Sequence, residues 1–182
     1  DEVADYTYNY QVSTTTVKST SVFFYNKVGD QAGLQRALSA DTEASMARSL
    51  SYKDEIAVTD LMAFYTADAV SKLDGLTSET HYFGSVKGEE IADYAYNYST
   101  KKNATGYDPS VLKTTSVYRY KRGSDLRAAE GATSENEMTI SETYKVTDID
   151  NINKADKTET NTPNIQSITH YRQAKGDEVA DY

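Results

Sequence analysis

Cysteine is absent from this 182-residue sequence, so no disulfide framework and no thiolate metal site can be built from it. Tryptophan is absent too, and there are only two prolines and two histidines. No apolar run approaches the roughly 18 residues of a membrane-spanning helix. Positive charge is in short supply: 19 Lys and Arg stand against 28 Asp and Glu, a net charge of −9. That balance argues against a nucleic-acid phosphate backbone or an anionic membrane as partner. No Ser-His-Asp grouping, phosphate-binding loop or dinucleotide fingerprint is present. The expectation is a protein that is not an enzyme and carries no cofactor.

What is abundant is tyrosine, at 16 residues, together with Ser and Thr. The tyrosines are not scattered. DEVADYTYNY opens at residue 1, EEIADYAYNY at residue 89 and DEVADY at residue 177, a period of 88 residues. Internal self-similarity takes precedence over local signals, because it determines the architecture. The match extends further. VKSTSVFFY (17–25) answers LKTTSVYRY (112–120), MARSLSYK (46–53) answers MTISETYK (138–145), and LTSETHY (76–82) answers IQSITHY (165–171). The expected organisation is one β-repeat unit over 1–88, a second over 89–176, and the start of a third over 177–182.

Each unit holds four strand-like blocks, rich in Tyr, Val and Thr and separated by turn residues: a (1–10, 89–98), b (17–25, 112–120), c (46–53, 138–145) and d (76–83, 165–172). Alternate residues of a strand share a face. Block a then carries a structural tyrosine row of Tyr6, Tyr8 and Tyr10, and of Tyr94, Tyr96 and Tyr98. Blocks b and d follow an apolar-x-hydroxyl-x-hydroxyl-x-aromatic template, as in Val17, Ser19, Ser21 and Phe23. That side is expected to be packed. The opposite side, where Phe24 is exchanged for Arg119, is expected to be at least partly wet. The Lys-Gly pairs at 87–88 and 175–176 predict a two- to four-residue hairpin joining d to the next a, with Gly88 at positive φ. Residues 30–44 and 60–75 carry helical signals. The dissimilar c-to-d links (60–75 and 148–164) read as exposed decoration.

Tyr6-Thr7-Tyr8-Asn9 with Val17-Lys18, and Tyr94-Ala95-Tyr96-Asn97 with Leu112-Lys113, resemble the YD (RHS-type) tandem repeats of bacterial surface and secreted proteins. Asn stands where that family usually has Asp, and its Gly-Arg-Leu turn is absent. The resemblance implies a bacterial tandem-repeat exoprotein in which each repeat adds a β-hairpin to a long spiralling sheet.

The fold class expected is therefore all-β: an elongated tandem-repeat rod or solenoid-like stack of antiparallel hairpins, with short helical or irregular insertions. The function expected is structural, as a segment of an extracellular or cell-surface fibre. The alternative is an adhesin or display stalk that binds ligands or glycans through its long loops. The partners expected are neighbouring repeats of the same or identical chains, with glycans as a further candidate, and no membrane insertion in this segment. Asp5, Asp93 and Asp181 recur at one position and are candidate Ca²⁺ ligands, against the plainer reading of a solvated acidic face. His81 and His170 are equivalent and read as sheet-surface histidines. Asn97 and Asn103 head Asn-x-Ser/Thr triplets and are candidate N-glycosylation sites.

Overall fold

The computed structural model describes residues 2–27, 33–61, 65–66, 69–70, 73–122, 124–145, 149–152, 164–172 and 179–180. Over these residues the chain is all-β. Its main strands are β1 (Tyr6–Tyr10), β2 (Val17–Asn26), β3 (Met46–Lys53), β4 (Leu76–Phe83), β5 (Ile91–Ser99), β6 (Val111–Arg122), β7 (Met138–Lys145), β8 (Ile165–Arg172) and β9 (Val179–Ala180). They lie side by side in one antiparallel sheet in the order of the chain. Leu34–Gln35 on β2 and Ser124–Leu126 on β6 complete eleven strands. Every block expected to be a strand is one, and each pairs with the next along the sequence, as short links between antiparallel neighbours permit.

The sheet runs without a break across residue 88. β4 and β5 pair from Ser78↔Asn97 to Phe83↔Ile91, the neighbouring arrangement expected of blocks d and a. The connection is longer than the predicted tight turn. Residues 84–90 separate the strands, with Gly84 at φ 141° and Gly88 at φ 83°. Glu90 closes this turn, accepting from Gly88 N at 2.8 Å and from Met46 N at 2.7 Å. β8 and β9 pair Tyr171↔Ala180 and Arg172↔Val179, which repeats Tyr82↔Ala92 and Phe83↔Ile91.

The links depart from expectation in their helices. Within 30–44 there is a single 3-10 turn at Ala37–Ser39. Within 60–75 the helix is only Val58–Leu61, and Tyr65–Thr66 then pairs with Ala69–Val70. Of 148–164, a 3-10 turn at Ile149–Asn151 is described, whereas 153–163 lie outside the described residues, as does Gly176.

The larger correction concerns the faces. Period-2 alternation separates two sides correctly, but the covered one is not the hydroxyl template. Cross-strand partners place Tyr8, Thr20, Tyr52 and Leu76 on one face, with Tyr6, Val22, Leu50 and Glu79 in the next row. Ser21, Ser51, Ser78, Asn97 and Thr114 line the other. Phe24 is 0 % exposed and its counterpart Arg119 1 %, so the position read as wet is core. The Ser/Thr side is only half-buried. The reason lies in the links. Ile56 packs into one cluster with Val22, Phe24, Leu50, Tyr52 and Leu76, and Ile149 and Ile152 pack into another with Val117 and Tyr144. Ile56, just ahead of 60–75, is therefore core, and so are Ile149 and Ile152 at the start of 148–164, a link expected to be decoration.

Bulges recur in step with the sequence. The register shifts at Phe24/Tyr25 and again at Arg119/Tyr120, at Ser51/Tyr52 and again at Thr143/Tyr144. A bulge re-aims the side chain that follows it. Tyr25 OH thereby donates to Ala4 O at 2.5 Å, and Tyr120 OH to Ala92 O at 2.8 Å.

Substitution on each face tests this assignment. Leu50→Ala removes a fully buried side chain and is expected to cost about 2–5 kcal/mol. Ser51→Ala, one residue along on the open face, is expected to stay within about 0.5 kcal/mol of wild type. Urea denaturation of the two variants decides; equal effects would reverse the assignment.

Candidate functional site

The feature built with the most care is the junction where residues 1–88 meet residues 89–176. Three elements converge there on one carboxylate. Arg48 of β3 places NH1 3.1 Å from Glu79 Oε1, and His81 Nε2 lies 2.9 Å from the same oxygen. From β5, across the junction, Tyr98 OH donates to Glu79 Oε2 at 3.1 Å. The His81 ring stacks on Tyr94 with centroids 4.3 Å apart and meets Tyr96 edge-on at 5.7 Å. Burial pushes the Glu79 carboxyl up, but the His81 hydrogen bond and charge, Arg48 and Tyr98 outweigh it, and its pKa is lowered from 4.5. Burial, with Glu79 nearby, raises Tyr98, while Tyr94 is pushed up to about 12, chiefly by burial.

A second contact spans the junction. The inserted loop 101–110 forms a small hairpin, Lys102–Asn103 with Gly106–Tyr107. Tyr107 OH donates to Asp54 Oδ2 at 3.0 Å, and Ser110 N donates to Leu73 O at 3.1 Å. Within the first segment, Lys87 Nζ of the connecting turn donates to Thr42 O at 2.6 Å.

No family model, no curated protein and no solved structure matches this chain. The site is therefore read from its own chemistry.

That chemistry has a counterpart in the second segment, displaced by one strand. There the buried pair is Arg119 of β6 with Glu142 of β7, Nε to Oε2 at 2.8 Å. Tyr144 OH donates to the same oxygen at 2.9 Å, and burial, with Glu142 beside it, pushes that phenol up to about 12. By alignment of the blocks, Phe24, Arg48, Leu50 and Glu79 become Arg119, Ile140, Glu142 and Ile168. All four exchanges fall on the covered face. One ion pair and two apolar side chains remain, but the pair moves from β3–β4 to β6–β7.

Two of the recurrent aspartates, Asp5 and Asp93, are paired with arginines. Arg36 NH2 sits 2.8 Å from Asp5 Oδ2. Arg127 binds the buried Asp93 through NH2 and through Nε at 3.1 Å, and Ala129 N adds a bond at 3.3 Å. Those oxygens are committed to cations from the b-to-c link. Among the described residues no group of three or more His, Asp or Glu is placed to hold a metal ion. Asp181 lies outside them.

The tyrosine row runs along the covered face. Tyr6 and Tyr8, like Tyr94, Tyr96 and Tyr98, are half-buried, and Tyr10 is 56 % exposed. Tyr8 OH donates to Ile56 O at 2.5 Å, and Tyr96 OH accepts from Ile149 N at 3.3 Å, so each row ties down a c-to-d link. Asn97 sits inside β5 with its amide on Thr114 and Ser116 hydroxyls at 3.3 and 3.1 Å. Asn103 is exposed at the tip of the 102–107 hairpin, with Thr105 bonded to its Oδ1. His170 pairs with Ile140 across β7–β8.

Sequence reasoning missed every buried ion pair. A signal was present: Phe24→Arg119 and Leu50→Glu142 are exchanges of opposite charge at sites that alternation puts on one face of adjacent strands.

Two measurements follow from this arrangement. Arg119→Phe alone strands Glu142 in the core and is expected to cost about 3–5 kcal/mol. Arg119→Phe with Glu142→Leu installs the residues found at 24 and 50 and should recover most of that loss in a double-mutant cycle. Acid sensitivity tests Glu79. Its folded pKa is depressed, so its contribution is present above pH 4.5 and is lost as pH falls through the lower folded value. Glu79→Gln is expected to lower stability at neutral pH and to flatten the acid limb of a stability–pH profile. An unchanged limb would assign acid unfolding to another group.

Proposed function

We propose that this chain is a segment of a tandem-repeat extracellular structural protein, in which 88-residue segments add strands to one continuous sheet and build an elongated rod or filament. The observation that carries this reading is the repeated junction: β8 receives residues 179–180 in the register in which β4 receives 91–92. A segment joined in this way leaves its last strand ready for the first strand of the next. Stacked units of this kind bury edges that each alone would expose. The exposed Asn103 acceptor suits a surface protein that is glycosylated.

Chains of four or more segments, viewed by negative-stain electron microscopy, should give filaments of constant width. Each segment should lengthen them by roughly 19 Å, four strands at about 4.8 Å each. Compact globules whose diameter grows with segment number would refute the proposal.

A further inference from the structure

Blocks b and d end their shared template in an aromatic side chain that neither the ion pairs nor the junction uses. The four residues are Phe23 of β2, Tyr82 of β4, Tyr118 of β6 and Tyr171 of β8. All are half-buried on the Ser/Thr side of the sheet, one on every second strand. Rings so placed recur at about 9.6 Å, twice the strand spacing. The strands between them carry small side chains on that side: Ser49 on β3, Ala95 on β5 and Ser141 on β7. Tyr82 OH lies 3.4 Å from Ser49 Oγ, and Tyr171 OH lies 3.3 Å from Ser141 Oγ. Each of these rings therefore leans across the neighbouring strand and turns one flat side outward. Burial, and after it Tyr171 and Tyr82, raise the Tyr118 phenol above its usual value, so Tyr118 has a phenol on either side.

One rank of this face is continuous from β2 to β8 and carries no charge. From Phe23 it passes through Ser49, Thr80, Ala95, Ser116, Thr143 and Ser167. Its hydroxyls both donate and accept hydrogen bonds. The ligand that fits is uncharged, carries groups that also donate and accept, and offers an apolar patch at every second strand. A second protein sheet would close over these hydroxyls without returning their hydrogen bonds. An extended β-linked polysaccharide meets all three requirements. Its hydroxyls ring the rim of each sugar. The sugar faces are C–H groups, drawn to the negative face of an aromatic ring. The same side of the chain recurs at every second sugar, an interval close to that of the rings.

We propose that the Ser/Thr face of the sheet binds a linear, uncharged, β-linked polysaccharide, laid across the strands so that every second sugar stacks on Phe23, Tyr82, Tyr118 and Tyr171 in turn. The hydroxyl rank beside the rings takes up the sugar hydroxyls. The site lies opposite the ion-paired layer and does not depend on the fibre reading. Chains that bind the polysaccharide but build no filaments leave this inference intact and sink that one.

Depletion of the chain from solution by microcrystalline cellulose and by chitin measures the binding. Starch, whose linkage coils the chain, is the comparison. Retention by cellulose or chitin is expected, and little by starch; the tighter of the two identifies the sugar. Tyr118→Ala and Tyr82→Ala should each weaken binding by roughly threefold to tenfold, the worth of one stacked ring, and the double variant by about the product. Tyr118→Phe keeps the ring and should bind like wild type, which separates stacking from loss of fold. Tyr10→Ala removes an exposed tyrosine away from the row and should change nothing. Circular dichroism spectra of all variants should match. Retention by neither cellulose nor chitin, equal retention by starch, or equal losses from Tyr10→Ala and Tyr118→Ala would each overturn the proposal. So would a dimer of the chain that Tyr118→Ala dissolves, because the face then packs on a second copy.

Discussion

A carboxylate on the covered face of a sheet must have a cation within reach, and reach is short. Adjacent strands lie about 4.8 Å apart, so a partner within the sheet comes from the same strand or the next, whereas Asp93 takes Arg127 from the b-to-c link. Among the described residues such a strand-to-strand pair is Arg48–Glu79 in the first segment and Arg119–Glu142 in the second. The surrounding side chains are set by it. Phe24 and Leu50 fill in the first segment the space that the ion pair takes in the second. Ile140 and Ile168 do the reverse. The layer keeps its volume while its charges move, which is why both halves of the sheet support closed hydrophobic clusters.

Tyrosine supplies what such a thin layer otherwise lacks. Its ring is a large apolar body and its hydroxyl is a directed donor or acceptor. Tyr25 binds the backbone just ahead of β1 and Tyr120 the backbone at the start of β5, while Tyr8 and Tyr96 bind the links that cover the face. The sheet and its covering segments are thus joined by side chain to backbone bonds as well as by apolar contact. The opposite face needs no cover. Its Ser, Thr and Asn side chains bond to one another, as Asn97 does to Thr114 and Ser116, and they tolerate water.

The strands and the junction across residue 88 were legible in the sequence, because period-2 alternation and an internal repeat are both strong signals, whereas the order of the strands in one sheet was not read from it. The covered face was not. A site that takes Phe in one segment and Arg in the other looks solvated when each exchange is weighed alone. It looks buried once Phe24→Arg119 is read beside Leu50→Glu142. The helical spacing of 60–75 also misled. Leu61 and Leu73 suit a helix face, yet the helix stops at Leu61, and Leu73 gives its carbonyl to Leu76 N and Ser110 N. Arg36 and Arg127 were invisible because their partners, Asp5 and Asp93, lie 31 and 34 residues away.

Near-identical neighbours carry a hazard: strands of one segment can pair with those of the other. The displaced ion pair opposes this. Observed register sets Phe24 opposite Arg48 and Leu50 opposite Glu79. If β6 took the place of β2 beside β3, Arg119 would stand opposite Arg48. If β7 took the place of β3 beside β4, Glu142 would stand opposite Glu79. Both exchanges bury like charges side by side, which costs several kcal/mol where an unlike pair breaks roughly even. Had the two segments carried the pair on the same strands, either exchange would have preserved it. The displacement by one strand thus makes the two segments distinguishable to each other while leaving backbone, volume and net charge of the layer unchanged.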